Sequence, residues 1–199
     1  MKKIQPYLLY WFLFSFLFVI KITGQEPCPE WGSATSQKHK DLNIAKNRSI
    51  SIDSSQIADF VPLASMISYT KKDDSDWFHN GEYVVTEGYL INAIEEGAES
   101  CNCNHAKKSL KNGDVHMYLG RSKSSKIKNC IIIEITPAFK NDNPDYEKYL
   151  ILKKKIRVTG YLLYDFIHRK DALMTCNNCT DIWRNNSWEI HPITEIEIL

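Results

Sequence analysis

Alternation of apolar and polar residues is the feature that most constrains the fold of this chain. In residues 188–198 the apolar side chains Trp188, Ile190, Ile196 and Ile198 share one face, and the other face carries Glu189, His191, Glu195 and Glu197. A period of two is that of a β-strand with one buried face. The segment therefore predicts a half-buried strand. Its polar face begins with a Glu-x-His pair, which is able to bind metal, move protons or hold a polar ligand.

Four earlier segments share this character, so the sequence predicts five strands. They span residues 83–91, 113–120, 129–136, 154–164 and 187–198, with a helix predicted at 144–152. Gly88 and Gly160 lie inside strands, where glycine often marks a bulge or a tight barrel corner. Five strands with one helix between the third and fourth is the order of an OB fold. We therefore expect a mainly β chain: a five-stranded OB-like Greek-key barrel plus an irregular N-terminal extension.

The first 24 residues have the pattern of an export signal. Lys2 and Lys3 form a basic start, residues 7–20 are almost wholly apolar, and Gly24 is a small residue suited to cleavage. The apolar run is shorter than the roughly 20 residues of a membrane-spanning helix. We expect a mature chain from about Gln25 without a membrane span, secreted or held in the periplasm or cell envelope; the alternative is that the segment stays as an uncleaved anchor.

The rest of the chain divides into two parts. Residues 25–80 are polar or mixed and predict a linker or extension, in which residues 57–69 are a short apolar segment able to pack on the main domain. Residues 81–199 predict the barrel domain. Loss of the three lysines of the signal leaves 22 basic residues against 24 acidic ones, a net charge near −2. A general nucleic-acid binder usually has a basic surplus, so the charge does not favour that class.

Outward-facing polar residues on the predicted strands form the candidate site. Because the strands that carry them are neighbours in an OB barrel, we expect Asp114, His116, Glu134 and His191 to cluster on one outward face. Such residues on a barrel usually form a structural polar network. The alternatives are a divalent metal site or a general acid and base, which carboxylates and imidazoles together suit, and a ligand-contact surface. The ligand-binding candidates are Asp114, His116, Tyr118, Glu134, His168, Trp183, Glu189 and His191.

Six cysteines in an exported chain favour disulfides. Cys101 and Cys103 lie in one predicted loop, and Cys176 and Cys179 lie in another at the same end of an OB barrel. We expect a bridge between these two loops, and the alternatives are a four-cysteine zinc site and free thiols. By elimination, Cys28 would pair with Cys130.

Several local motifs resemble those of a family of secreted bacterial OB-fold-like proteins. They include Cys101-Asn-Cys103, Asp114-Val-His116, Val158-Thr-Gly-Tyr161 and Trp188-Glu-Ile-His-Pro192. The resemblance covers roughly residues 80–199. It implies the barrel and a bacterial, exported context, and it names no reaction.

The sequence contains no nucleophile elbow, phosphate loop, dinucleotide fingerprint or zinc-protease helix. We therefore expect an exported binding or interaction domain rather than an enzyme, with no cofactor required. Its ligand class stays open between nucleic acid, oligosaccharide and peptide, including a partner protein. The alternative is a divalent-metal-dependent hydrolase that uses the Asp/His/Glu cluster on the outer barrel face.

Overall fold

The computed structural model of the protein describes residues 28–52, 55–67, 80–105, 112–176 and 178–199. The predicted export signal lies outside these residues. Nine helices and strands are labelled here in chain order: α1 (Gln37–Lys46), β1 (Asp59–Phe60), α2 (Leu63–Ile67), β2 (Tyr83–Glu95), β3 (Val115–Gly120), β4 (Ile131–Ile135), α3 (Pro137–Asp142), β5 (Lys155–Tyr164) and β6 (Trp188–Ile198).

Five strands close into a barrel in the order β2-β3-β4-β6-β5 and back to β2. The pairs are antiparallel except β4 and β6, which run parallel. This is the topology of an OB fold. The predicted fold class is therefore confirmed, and β1 adds a short parallel strand beside β2.

Strand parity sorts the side chains into an inner and an outer set. On β4 the inner set is Ile131, Ile133 and Ile135, which are fully buried in the barrel core with Met117 and Leu119 of β3. The residues between them, Ile132 and Glu134, face the outer side and are also fully buried. The outer face of this part of the barrel is therefore covered, and the structure of the cover decides what the polar residues can do.

β6 departs from simple alternation in its middle. Its register against β5 shifts at Gly160, which pairs with Ile193, and His191-Pro192 is a cis peptide. Ile193 lies in the core. A Cβ on Gly160 would lie 2.5 Å from the Pro192 carbonyl oxygen and 2.8 Å from the Ile193 Cα. Only glycine fits this close approach of two backbones.

The helix between the third and fourth barrel strands starts earlier than predicted. α3 begins directly after β4, because Pro137 occupies its first turn and the Thr136 hydroxyl accepts a hydrogen bond from the Phe139 amide. Residues 146–149 form a separate 3₁₀ turn. The expected helix at 144–152 is therefore wrong in its bounds, although a helix does occupy this connection.

The N-terminal extension contains one helix that its sequence did not reveal. The Ser36 side chain caps α1 by accepting a hydrogen bond from the His39 amide. Leu42, Asn43 and Lys46 are the buried residues of this helix. Only one of the three is apolar, so the amphipathic pattern that would have predicted the helix is missing.

Candidate functional site

A cluster of ionisable side chains lies on the covered outer face of β3, β4 and β6. The structure brings together the four residues that strand parity and neighbour order selected, Asp114, His116, Glu134 and His191. Each is at most 2% exposed. The sequence predicted the outward direction of these side chains, and it did not reveal that other segments of the chain cover this face and bury them.

Glu134 is the centre of the cluster. Its Oε1 lies 2.6 Å from His116 Nε2, and its Oε2 lies 2.7 Å from His191 Nδ1. Burial raises the pKa of Glu134, but His116 and then His191 outweigh it and lower that pKa well below its usual range. Glu134 therefore stays ionised although no water reaches it.

The two histidines, His116 and His191, pair with the Glu134 carboxylate. Burial lowers their pKa values, but the Glu134 carboxylate opposes it, raising the pKa of His191 to about 10 and that of His116 well above its usual value. His116 also contacts Glu96, whose Oε1 lies 2.7 Å from Nδ1. The Glu134 carboxylate therefore favours the protonated form of both imidazoles.

Asp114 comes just before β3 and joins the same group. Burial, together with the neighbouring Glu134 and Glu99, raises the pKa of Asp114 to about 8, although His191 opposes the shift. The Cys101 thiol lies 3.9 Å from its Oδ2. A carboxyl group in this position lacks a full countercharge.

Two further ion pairs form the cover. Lys46 at the end of α1 places its Nζ 2.8 Å from Asp165 Oδ2, and Arg184 places its Nη2 2.8 Å from Glu189 Oε2. All four side chains are buried. Burial raises the pKa of Asp165, but Lys46, followed by His168 and Arg184, outweighs it and lowers that pKa to about 2.

The aromatic candidates close the cluster from the side. The indole of Trp183 stacks on His116, with ring centroids 5.9 Å apart and planes 22° apart. It also meets His168 edge-on at 5.0 Å. Tyr118 is 5% exposed and packs with Ile132 in a small second apolar cluster. These rings fill the space between barrel and cover, so they are poorly placed to stack on a base or sugar.

Sequence reasoning missed Lys46, Arg184 and Glu96 as members of the site. Lys46 lies in the predicted linker, and Arg184 lies in an asparagine-rich loop without a periodic pattern. The predicted candidate Glu189 belongs to the site, but it pairs with Arg184. Only the tertiary packing of these segments on the barrel reveals the missed residues.

The cysteine pairing differs from the expectation. The disulfides are Cys28–Cys103 and Cys176–Cys179, and Cys101 and Cys130 are buried free thiols. The predicted bridge between the two loops and the predicted Cys28–Cys130 bridge are therefore both wrong. The reason is the position of the N-terminal segment, which runs along the β2–β3 loop, where the Ser33 amide donates to the Ser100 carbonyl, and places Cys28 beside Cys103.

A cavity of about 550 Å³ lies beside the cluster, between the N-terminal segment, the β2–β3 loop and the start of α3. The Cys28–Cys103 disulfide, Pro29, Pro137 and Ala138 form its apolar part. Asn102 also lines it, and within the described part of the chain both polar atoms of that buried side chain lack a hydrogen-bond partner. A buried amide of this kind is unusual and needs an explanation.

Comparisons with known proteins show likeness only at the level of the fold. No protein-family model and no curated protein matches the chain. Among solved structures, the Entamoeba histolytica asparaginyl-tRNA synthetase with asparaginyl-adenylate is 16% identical, with a TM-score of 0.38 over 72% of this chain. The OBody AM3L09 bound to hen egg-white lysozyme is 14% identical, with a TM-score of 0.36 over 60% of this chain and 83% of the OBody. The chain spans 24% of the synthetase.

None of the helices in the described ranges is long and apolar enough to cross a membrane.

Proposed function

We propose that this protein is an exported OB-like domain that binds an extended peptide segment of a partner protein in the cavity beside Asn102. Support for export comes from the basic and apolar start of the sequence and from the two disulfides. The observation that carries the binding site is the buried Asn102 amide, which has a free donor and a free acceptor at the cavity wall.

The chemistry of the cavity favours a peptide over the other two ligand classes. An asparagine side chain presents an NH2 donor group and a carbonyl acceptor side by side, which complements the C=O and N–H of a peptide group. Recognition of single-stranded bases depends on aromatic stacking, whereas the described residues that line the cavity include no Trp, Tyr or Phe. The apolar wall of disulfide and prolines suits peptide side chains. A volume of about 550 Å³ accommodates a few residues.

A hydrolase at the Asp/His/Glu cluster fits this conformation less well. Glu134 and Glu189 are fully buried, and Asp114, His116 and His191 are at most 2% exposed. Since a catalytic group has to reach the bond it breaks, a substrate has no path to these side chains unless the cover opens. We therefore favour binding over catalysis.

Selection from a random peptide phage library on the mature protein tests the proposal. Enriched peptides would then be measured by fluorescence anisotropy against wild type, Asn102→Ala and the control Asn129→Ala, an exposed asparagine outside the cavity. We expect a loss of binding of at least tenfold in Asn102→Ala and none in Asn129→Ala. Enriched peptides that bind all three proteins equally, or a failure to enrich any sequence, would contradict the proposal.

The stability of Asn102→Ala provides an independent readout. An unpaired buried polar group costs about 1–3 kcal/mol, so its removal should stabilise the free protein or leave it unchanged. If Asn102 had only a structural role, the Asn102→Ala protein would instead be less stable than wild type. Urea unfolding of the free protein distinguishes the two cases.

A further inference from the structure

We propose that Asp114, Glu134 and His191 hold one divalent transition-metal ion of the zinc, manganese or iron type beneath the cover of the barrel. This inference does not depend on the peptide site, since it concerns different side chains and an ion rather than a partner protein.

The geometry of the three side chains is the first support. Each offers one ligand atom, and these atoms all lie within 4.8 Å of one another. Ligand atoms about 2 Å from a shared ion lie roughly 3–4 Å apart, so small side-chain rotations complete the site. Two carboxylates with an imidazole suit zinc, manganese or iron better than calcium or magnesium, which prefer oxygen alone.

A second support is that the short contacts between His191 and its neighbouring carboxylates lack hydrogen-bond geometry. His191 Nδ1 lies 2.7 Å from Glu134 Oε2 and 3.3 Å from Glu189 Oε1. Nevertheless, neither this nitrogen nor either Glu134 oxygen has a correctly directed hydrogen bond within the described chain. Buried nitrogen and oxygen atoms without a directed hydrogen bond need another partner, and a bound ion would supply one.

The surroundings would also hold the ligands in place. His116 contacts the second oxygen of Glu134, and Trp183 stacks on the other side of His116. Residues that support metal ligands in this way fix their orientation and strengthen binding. Asp114 precedes β3, Glu134 lies on β4 and His191 lies on β6. A bound ion would therefore link these three parts of the barrel beneath the cover rather than contact a substrate.

Titration of the untagged mature protein, after treatment with a chelator, tests this site. Cobalt(II) is followed by its visible absorption, and zinc is counted by elemental analysis after dialysis. We expect one ion per chain and a rise in melting temperature with the ion present. We also expect no intense near-ultraviolet thiolate band, because the proposed ligands are oxygen and nitrogen.

Two near-isosteric variants and one matched control locate the ion. Asp114→Asn and Glu134→Gln should each weaken cobalt binding at least 100-fold, whereas Glu195→Gln, an exposed carboxylate on the same strand as His191, should bind as wild type does. Folded wild-type protein that takes up no stoichiometric ion would overturn the proposal. So would binding that survives in folded Glu134→Gln and is lost in Cys101→Ser, because the neighbouring group of Glu99, Cys101 and Asp114 would then be the site.

Discussion

His116 and Glu134 are direct partners across β3 and β4, and His116 Nε2 lies 2.6 Å from Glu134 Oε1. The neighbouring pair of β4 and β6 sets Ile133 against Ile190, which places His191 beside the same glutamate. A single carboxylate therefore joins three strands on the outer side of the barrel. Since it is buried, its charge matters for the stability of the whole domain.

We expect Glu134→Gln to lower the free energy of unfolding of chelator-treated protein by about 3–5 kcal/mol, because His116 and His191 lose the charge that keeps them protonated. Urea denaturation followed by circular dichroism measures this. Glu195→Gln on the exposed part of β6 should change the value by less than about 0.5 kcal/mol. A loss of under 1 kcal/mol in Glu134→Gln would mean that the central role of this carboxylate is wrong.

Asp165 makes stability depend on pH in a defined window. Its pKa of about 2 in the folded protein lies below the value of about 3.9 in an unfolded chain. The pair with Lys46 therefore contributes fully above pH 4, and its contribution decreases as the pH falls from about 4 to 2. Urea unfolding of wild type and Asp165→Asn across this range should show a stability difference that shrinks toward acid. A difference that stays constant would contradict this assignment.

The Cys28–Cys103 disulfide should contribute most of the stability that the bridges supply. It joins residues 75 positions apart, which corresponds to about 4 kcal/mol by loop entropy, whereas the Cys176–Cys179 bridge with its separation of 3 gives less than half as much. Urea unfolding of the double variants Cys28→Ser/Cys103→Ser and Cys176→Ser/Cys179→Ser should show this order. Equal losses of unfolding free energy in the two double variants would argue against Cys28–Cys103 as the main stabilising bridge.

Non-reducing peptide mapping checks the pairing itself. It should find the two bridges above, and alkylation should reach Cys101 and Cys130 only after unfolding, because both thiols are buried. A peptide that links the β2–β3 loop to the β5–β6 loop would restore the pairing expected from the sequence.

Gly160→Ala should destabilise the barrel by about 1–3 kcal/mol or more, because the new methyl group would meet the backbone at Pro192 and Ile193. Gly97→Ala is the matched control, since a Cβ there has no neighbour within 4 Å among the described residues. Thermal or urea unfolding compares the two. If Gly160→Ala were as stable as Gly97→Ala, the close approach of β5 and β6 would not exist in solution.

The sequence alone determined the barrel and the direction of its side chains. Alternation in β3, β4 and β6 fixed which residues face outward, and the strand order made His116, Glu134 and His191 neighbours. Such information is local, because a period of two in the chain is also a period of two in space. It was sufficient to select the centre of the site.

Only the tertiary structure decided that this face is buried and what surrounds it. Lys46 comes from a helix with almost no amphipathic pattern, and Arg184 comes from an irregular loop. Cys28 pairs with Cys103 because the N-terminal segment runs along the β2–β3 loop. These contacts join positions far apart in sequence that share no periodicity. They depend on how loops pack over a completed barrel, and that packing turns a predicted polar surface into a buried, charged cluster.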